Sequence, residues 1–407
     1  MARGGNQLDG LDQVRLALVL VLIGVQSLEV TQSFTWFAYT PMWILGPAAS
    51  AGLFAALGLA LASSRDRRSS ANYMARAAVS AIPAALFAVV AAFGLLGTLL
   101  TSLSVRDYLA SRESWSYLLN LALLPQATLP GVFEFNNLVN VVNEATWTFP
   151  VFILTVATGL GAARRRRSLI IAAGIIILSL AVGFGDYAGL LSDPLGLSGT
   201  HRLVARFIGA LIAGQIGLAA YQSRDRFTVS LVIASTAAAL LGAIAVLGNR
   251  SWANLFLAQS AIAVASAYLV IWVSALRLPL RDISVAARPL LTPLFLFSFP
   301  IQQVTVLLGP FEQNGLLNLS LALPLTLMLA LAFYLLVSRT LIPRLYPRTV
   351  MQPPPPLNVR ALASSSSRIR RFAHDQAGNA VVMVILILVV LAALALTVFA
   401  SQHSPGD

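Results

Sequence analysis

The sequence predicts an all-α, polytopic membrane bundle of about ten spans with one extra C-terminal transmembrane helix. Three observations carry that prediction. Of 407 residues, 58% are hydrophobic and only 10% are charged, against about 25% charged in an average globular chain. Apolar runs of spanning length recur along the chain, and they do not alternate as barrel strands would. The arginines gather on one side of those runs. With a mean hydropathy of +0.81, the chain fits neither a soluble, nor a disordered, nor a membrane-peripheral protein.

The runs fall at residues 14–31, 41–62, 78–100, 147–163, 168–190, 203–222, 227–248, 253–276, 289–308 and 316–338, with a last one at 380–400. About 20 apolar residues cross the hydrocarbon, and most of these runs qualify. The first is not a cleaved signal peptide. It has no small-residue cleavage site, and Asp9, Asp12 and Arg15 precede a long run.

All 27 basic residues are arginine, the mark of a GC-rich, bacterial genome rather than of mechanism. Placing the N-terminus in the cytoplasm leaves only Arg106, Arg112, Arg202, Arg206 and Arg250 outside and the other 22 inside. The positive-inside rule therefore accounts for the net charge of +12, and nucleic acid is not needed to explain it. The expected location is the bacterial cytoplasmic membrane, with the lipid bilayer as the main partner.

Three domains follow. Residues 1–340 form the ten-span body. Residues 341–378 form a cytoplasmic linker, stiff at Pro353–Pro356 and flexible at Ser364–Ser367. Residues 379–407 supply the extra helix and a short outer tail. That helix reads as a lipid anchor or as a docking piece for a membrane protein partner. The longest outer loop, 101–146, carries Trp115 and several leucines, which suits a surface-lying or re-entrant segment.

Chemistry is sparse. Cysteine is absent and histidine occurs three times, so there is no thiolate site. No His/Asp/Glu cluster has metal-ligand spacing, and no phosphate-cradling glycine loop occurs. Ionisable groups inside a span are the functional hypotheses that remain. In the first span Arg15 and Gln26 lie eleven positions apart. That places them about 20° apart round the helix and ~16 Å apart along it. With Asp12 and Glu29 they form one stripe. One reading turns this stripe toward a shared cavity. The other has Asp12 and Arg15 paired at the inner surface and Glu29 in the outer headgroups.

Several stretches carry a resemblance. Leu8-Asp9-Gly10-Leu11-Asp12-Gln13-Val14-Arg15 opens the first span, with Gln26 eleven positions beyond Arg15. Phe54 to Ala60 includes Gly58. Arg76 precedes Pro83 at the start of span three. Leu129-Pro130-Gly131-Val132-Phe133 leads to Asn143-x-x-x-Trp147-Thr148-Phe149-Pro150. Phe295-Leu296-Phe297-Ser298-Phe299-Pro300 lies on a late span. In order and spacing, over roughly residues 8–310, this resembles the acyltransferase-3 family of integral membrane O-acyltransferases.

The resemblance implies about ten spans and acyl transfer from acyl-CoA to a hydroxyl of an envelope glycan or other outer-side, lipid-linked acceptor. No permanently bound cofactor is implied. It puts Gln26 at the catalytic position, where Glu29 joins it as a candidate by its place on the same side of the helix, and it points to Arg15, Arg76, Asn143, Trp147, Thr148 and Ser298 for substrate binding. The chain departs from the family pattern at four places. Gln26 and Ser298 stand where the family has histidine, Val79 where it has a second arginine, and Phe152 where it has an acid.

A glutamine amide hydrogen-bonds but cannot take a proton. The chemistry has therefore either moved or been lost. Glu29, on the side of Gln26, is the first candidate for a relocated base. Glu134, Glu144, Asp186 and His201 also lie at the outer ends of spans or in the outer loop. A plainer reading has Asn143, Trp147 and Thr148 capping and anchoring span four. The alternative function is a catalytically silent relative, a binding or scaffold subunit of an envelope-glycan assembly.

Overall fold

The computed structural model describes residues 10–65, 70–122, 124–161, 170–171, 173–175, 177–178, 181, 198–222, 230–249, 256–276 and 281–341. The C-terminal linker and extra helix expected from the sequence lie outside these residues, as does most of the span expected at 168–190. The described chain is helical, with two isolated β-bridges in the loop after the third long helix and no strand.

Among the described residues, nine longer helices build the body: α1 (Leu11–Val30), α2 (Leu45–Arg65), α3 (Ser70–Ala91), α4 (Thr148–Gly161), α5 (Ser198–Gln222), α6 (Leu231–Leu247), α7 (Phe256–Ser274), α8 (Leu291–Val306) and α9 (Gly315–Phe333). α3 continues through a π-turn at Ala92–Leu96 to Leu100. Among the described residues, six stretches are long and apolar enough to cross a membrane: Leu11–Val30, Pro41–Ser63, Ala81–Leu100, Phe256–Ser274, Asp282–Val306 and Gly315–Arg339. The spans expected at 203–222 and 227–248 hold the shorter apolar helices Ala205–Tyr221 and Leu231–Leu247. The span expected at 147–163 is the 14-residue α4. The chain is a multi-pass membrane protein.

Small residues decide which helices touch most closely. α2 and α5 cross backbone to backbone. A Cβ built on Gly58 would lie 2.1 Å from the Gly214 carbonyl oxygen, and one on Gly217 would lie 2.1 Å from that of Ala55. This is how membrane helices associate where lipid offers no hydrophobic drive. Larger apolar residues then fill the bundle, with Phe54, Leu59, Ile212 and Val270 in one buried cluster.

Polar side chains on α8 tie it to its neighbours. Gln302 Nε2 donates to the Ile23 carbonyl of α1 at 2.8 Å. Asn318 of α9 donates to Thr305 Oγ1 at 2.7 Å and accepts from Ser27 Oγ at 2.9 Å. Gln303 Nε2 donates to the Val141 carbonyl at 2.8 Å and so holds down the loop before α4. Satisfied polar groups of this kind fix which helix faces meet.

The loop reaches α8 a second way. Pro300 has no N–H, so the Leu296 carbonyl one turn earlier loses its intrahelical donor. Asn143 Nδ2 supplies the replacement at 3.0 Å. The Asn143 carbonyl oxygen Oδ1 accepts from the Ala145 N–H at 3.0 Å and caps the turn that starts α4.

Candidate functional site

α1 positions the site. Its N-terminal end is held by the Gly10 N–H, which donates to the Ser274 carbonyl at 3.2 Å, and by Asp12. The Asp12 carboxylate accepts from Arg288 Nε at 3.1 Å and from Arg288 Nη2, while Arg15 stands 3.9 Å away. Val19 and Leu22 follow, both buried. Near its C-terminal end α1 borders a cavity of about 70 Å³.

Gln26 and Glu29 of α1 line this cavity, with Ser50 of α2, Glu144 and Trp147 from the turn before α4, Arg206 of α5 and Gln259 of α7. Arg206 and Glu144 form an ion pair, and Arg206 also interacts electrostatically with Glu29. The two paired side chains are 26% and 25% exposed, a charged pair opening onto a small cavity inside an apolar bundle.

Behind the wall lies Ser298. Its hydroxyl donates to Gln26 Oε1 at 2.8 Å and to the Phe295 carbonyl at 3.0 Å. A hydroxyl has one proton, so the two acceptors share it. Trp147 is 8% exposed and packs on Phe54 with ring centroids 6.1 Å apart.

The residues singled out by sequence thus fall into three groups. Gln26, Glu29, Glu144 and Trp147 meet at the cavity. Ser298, Asn143 and Thr148 are buried beside it but are not part of its lining. Ser298 holds Gln26, Asn143 closes the turn, and Thr148 Oγ1 donates to the Ala145 carbonyl at 2.6 Å. Arg15 stands apart, because the α1 lining ends at Leu22. That is about 10 Å short of Arg15 along the helix. Arg76 lies within α3, with its side chain outside the described set. Glu134 is exposed in the loop.

Sequence reasoning missed Arg206 as a site residue by counting it with the outer loop charges. The signal was present. Arg206 sits four positions inside an apolar run, where an ionisable group is costly enough to need a reason. Gln259 was missed because a lone amide in a span gives no pattern.

Comparison with protein-family models, with curated proteins and with solved structures finds no match. Fold and site together define a class: a multi-pass α-helical membrane protein with a charged cavity at one end of its bundle.

Proposed function

We propose that the chain is an acyltransferase-3-like membrane protein of the bacterial cytoplasmic membrane, N-terminus in the cytoplasm, with ten spans. It moves an acyl group from acyl-CoA to a hydroxyl of an envelope glycan or other outer-side acceptor. One observation carries this reading. Gln26 and Ser298, the two positions at which the resembling family has histidine, are 272 residues apart in sequence and in hydrogen-bond contact at 2.8 Å. Trp147, from a further motif, lines the same cavity, and Phe54, from another, packs on its ring from behind. Correspondence at one position is weak, but four positions from four segments, two lining one cavity and two packed directly behind them, support a shared site.

In this reading Glu29 takes the proton of the acceptor hydroxyl, whose oxygen attacks the thioester carbonyl carbon. Arg206 and the Gln26 amide donate to the oxyanion, and Glu144 positions Arg206. The C–S bond then breaks, and coenzyme A leaves as the thiol on receiving the proton from Glu29. Arg15 and Arg76 give positive charge toward the donor side. Since the lining ends at Leu22, the thioester arm must part α1 from its neighbours near Val19.

A second reading has the same fold acting as a silent binding or scaffold subunit. The observation that favours it is Gln26, an amide that cannot serve as base. Purified protein in vesicles, given radiolabelled acyl-CoA and envelope extract, separates the two. Transfer by the wild type that is lost in Glu29→Gln supports the enzyme. No transfer by the wild type, with transfer gained in Gln26→His, supports the silent relative.

A further inference from the structure

We propose that residues 103–124 are an interfacial anchor, lying in the headgroup region of the bilayer at the end of the bundle where α1 terminates. Two short helices, Val105–Ala110 and Arg112–Ser116, and a 3-10 turn, Tyr117–Ala122, make up this segment. One face is fixed to α3. Tyr108 is fully buried, and its hydroxyl donates to the Phe93 carbonyl at 2.9 Å, in the π-turn of that span. Gly97 makes room for it, since a Cβ there would lie 1.9 Å from the Tyr108 hydroxyl. The Trp115 ring packs on Phe93 with centroids 5.2 Å apart.

The other face is oily and open. Leu109, Trp115, Leu119 and Leu124 are exposed. Continuity selects the occupant. On α3, Leu95 and Leu99 are 57% and 70% exposed, as a span facing lipid must be. The Phe93–Trp115 contact sets the loop's apolar face directly beside that surface.

The polar groups suit the same place. Ser104 Oγ accepts from the Asp107 N–H at 3.1 Å, Ser111 Oγ from the Glu113 N–H at 3.2 Å, and Trp115 Nε1 donates to the Leu109 carbonyl at 2.7 Å. Backbone and indole donors are thus used internally, which hydrocarbon contact requires. The exposed charges Arg106, Asp107, Arg112 and Glu113 hold the segment at the water boundary instead of deeper.

The chain has no cysteine, so Leu109→Cys, Leu119→Cys and Glu113→Cys each create a single labelling site in the full-length protein. Nitroxide labels are read in phosphatidylcholine and phosphatidylglycerol vesicles at high lipid-to-protein ratio. Labels at 109 and 119 are expected to meet dissolved oxygen severalfold more than a water-soluble nickel chelate, relative to the label at 113. Equal nickel access at all three positions puts the face in water and overturns the proposal. Shielding of 109 and 119 from both agents puts a protein segment over the face, a second copy or the C-terminal part of this chain, and overturns it too.

Discussion

Two ion pairs of the same chemistry sit at opposite ends of the bundle. Near the N-terminal end of α1, Arg288 bonds Asp12 with its own side chain 51% exposed. Near the other end, Arg206 bonds Glu144 with both side chains about a quarter exposed, into a cavity shared with Gln26 and Glu29. In the first pair only the cation keeps about half of its exposure, while Asp12 is 16% exposed and has Arg15 as a second neighbour. In the second, cation and anion are equally withdrawn from water, and each faces the cavity with the other as its ion-pair partner. Surroundings, not residue types, make one pair a tie between two elements and the other part of a site.

The largest test of this contrast is Arg206→Ala. It leaves Glu144 facing the cavity without its cation and is expected to cost about 2 kcal/mol, between an exposed pair and a fully buried one broken on one side. Thermal denaturation in detergent measures the loss. The double change Arg206→Met with Glu144→Leu should restore most of it. A double variant as unstable as the single one would mean that the pair holds the helices by shape and not by charge.

Ser298→Ala comes next. It removes the donor to the Gln26 amide oxygen without changing volume much, and about 1 kcal/mol is expected in the same assay. Asp12→Asn keeps a carbonyl acceptor for Arg288, whose side chain is half exposed, so it should cost less than about 1 kcal/mol, and the difference should shrink in about 1 M salt. A loss at Asp12 equal to that at Arg206 would erase the contrast between the two ends.

The last test, which moves nothing near neutrality, lies at high pH and concerns the loop tyrosines. Burial pushes the Tyr108 phenol up to about 12, and it raises Tyr117 as well, with Tyr108 adding to the shift. A phenol that ionises later in the fold than in the unfolded chain, near 10, stabilises fully below that pH. That contribution is lost as pH rises toward 12. Phenolate absorbance should therefore rise together with release of the loop. Ionisation of all the tyrosines near pH 10 without unfolding would place Tyr108 and Tyr117 in water.

Some of the site was legible in the sequence. Gln26 and Glu29 stand out because polar residues in an apolar run are few, and helical spacing puts them on one side. Trp147 was found through a motif. Arg206 escaped because its partner Glu144 lies 62 residues away, and a topology count treats both as loop charges. The double duty of Asn143 escaped as well. It repairs a carbonyl freed by Pro300, and nothing in the spacing of Asn143 and Pro300 reveals that one answers the other.

What the sequence determined by itself is that this chain crosses a membrane several times, and where the long apolar helices lie. Hydrophobicity and length act locally, residue by residue, and a run of about 20 apolar residues needs no partner to be recognised. What only the tertiary structure decided is which faces meet. The α2–α5 crossing at Gly58 and Gly217, the Ser298–Gln26 contact and the Arg206–Glu144 pair each join segments distant in the chain. Their energies come from close approach and from satisfying polar groups away from water, and neither quantity exists until the helices are packed.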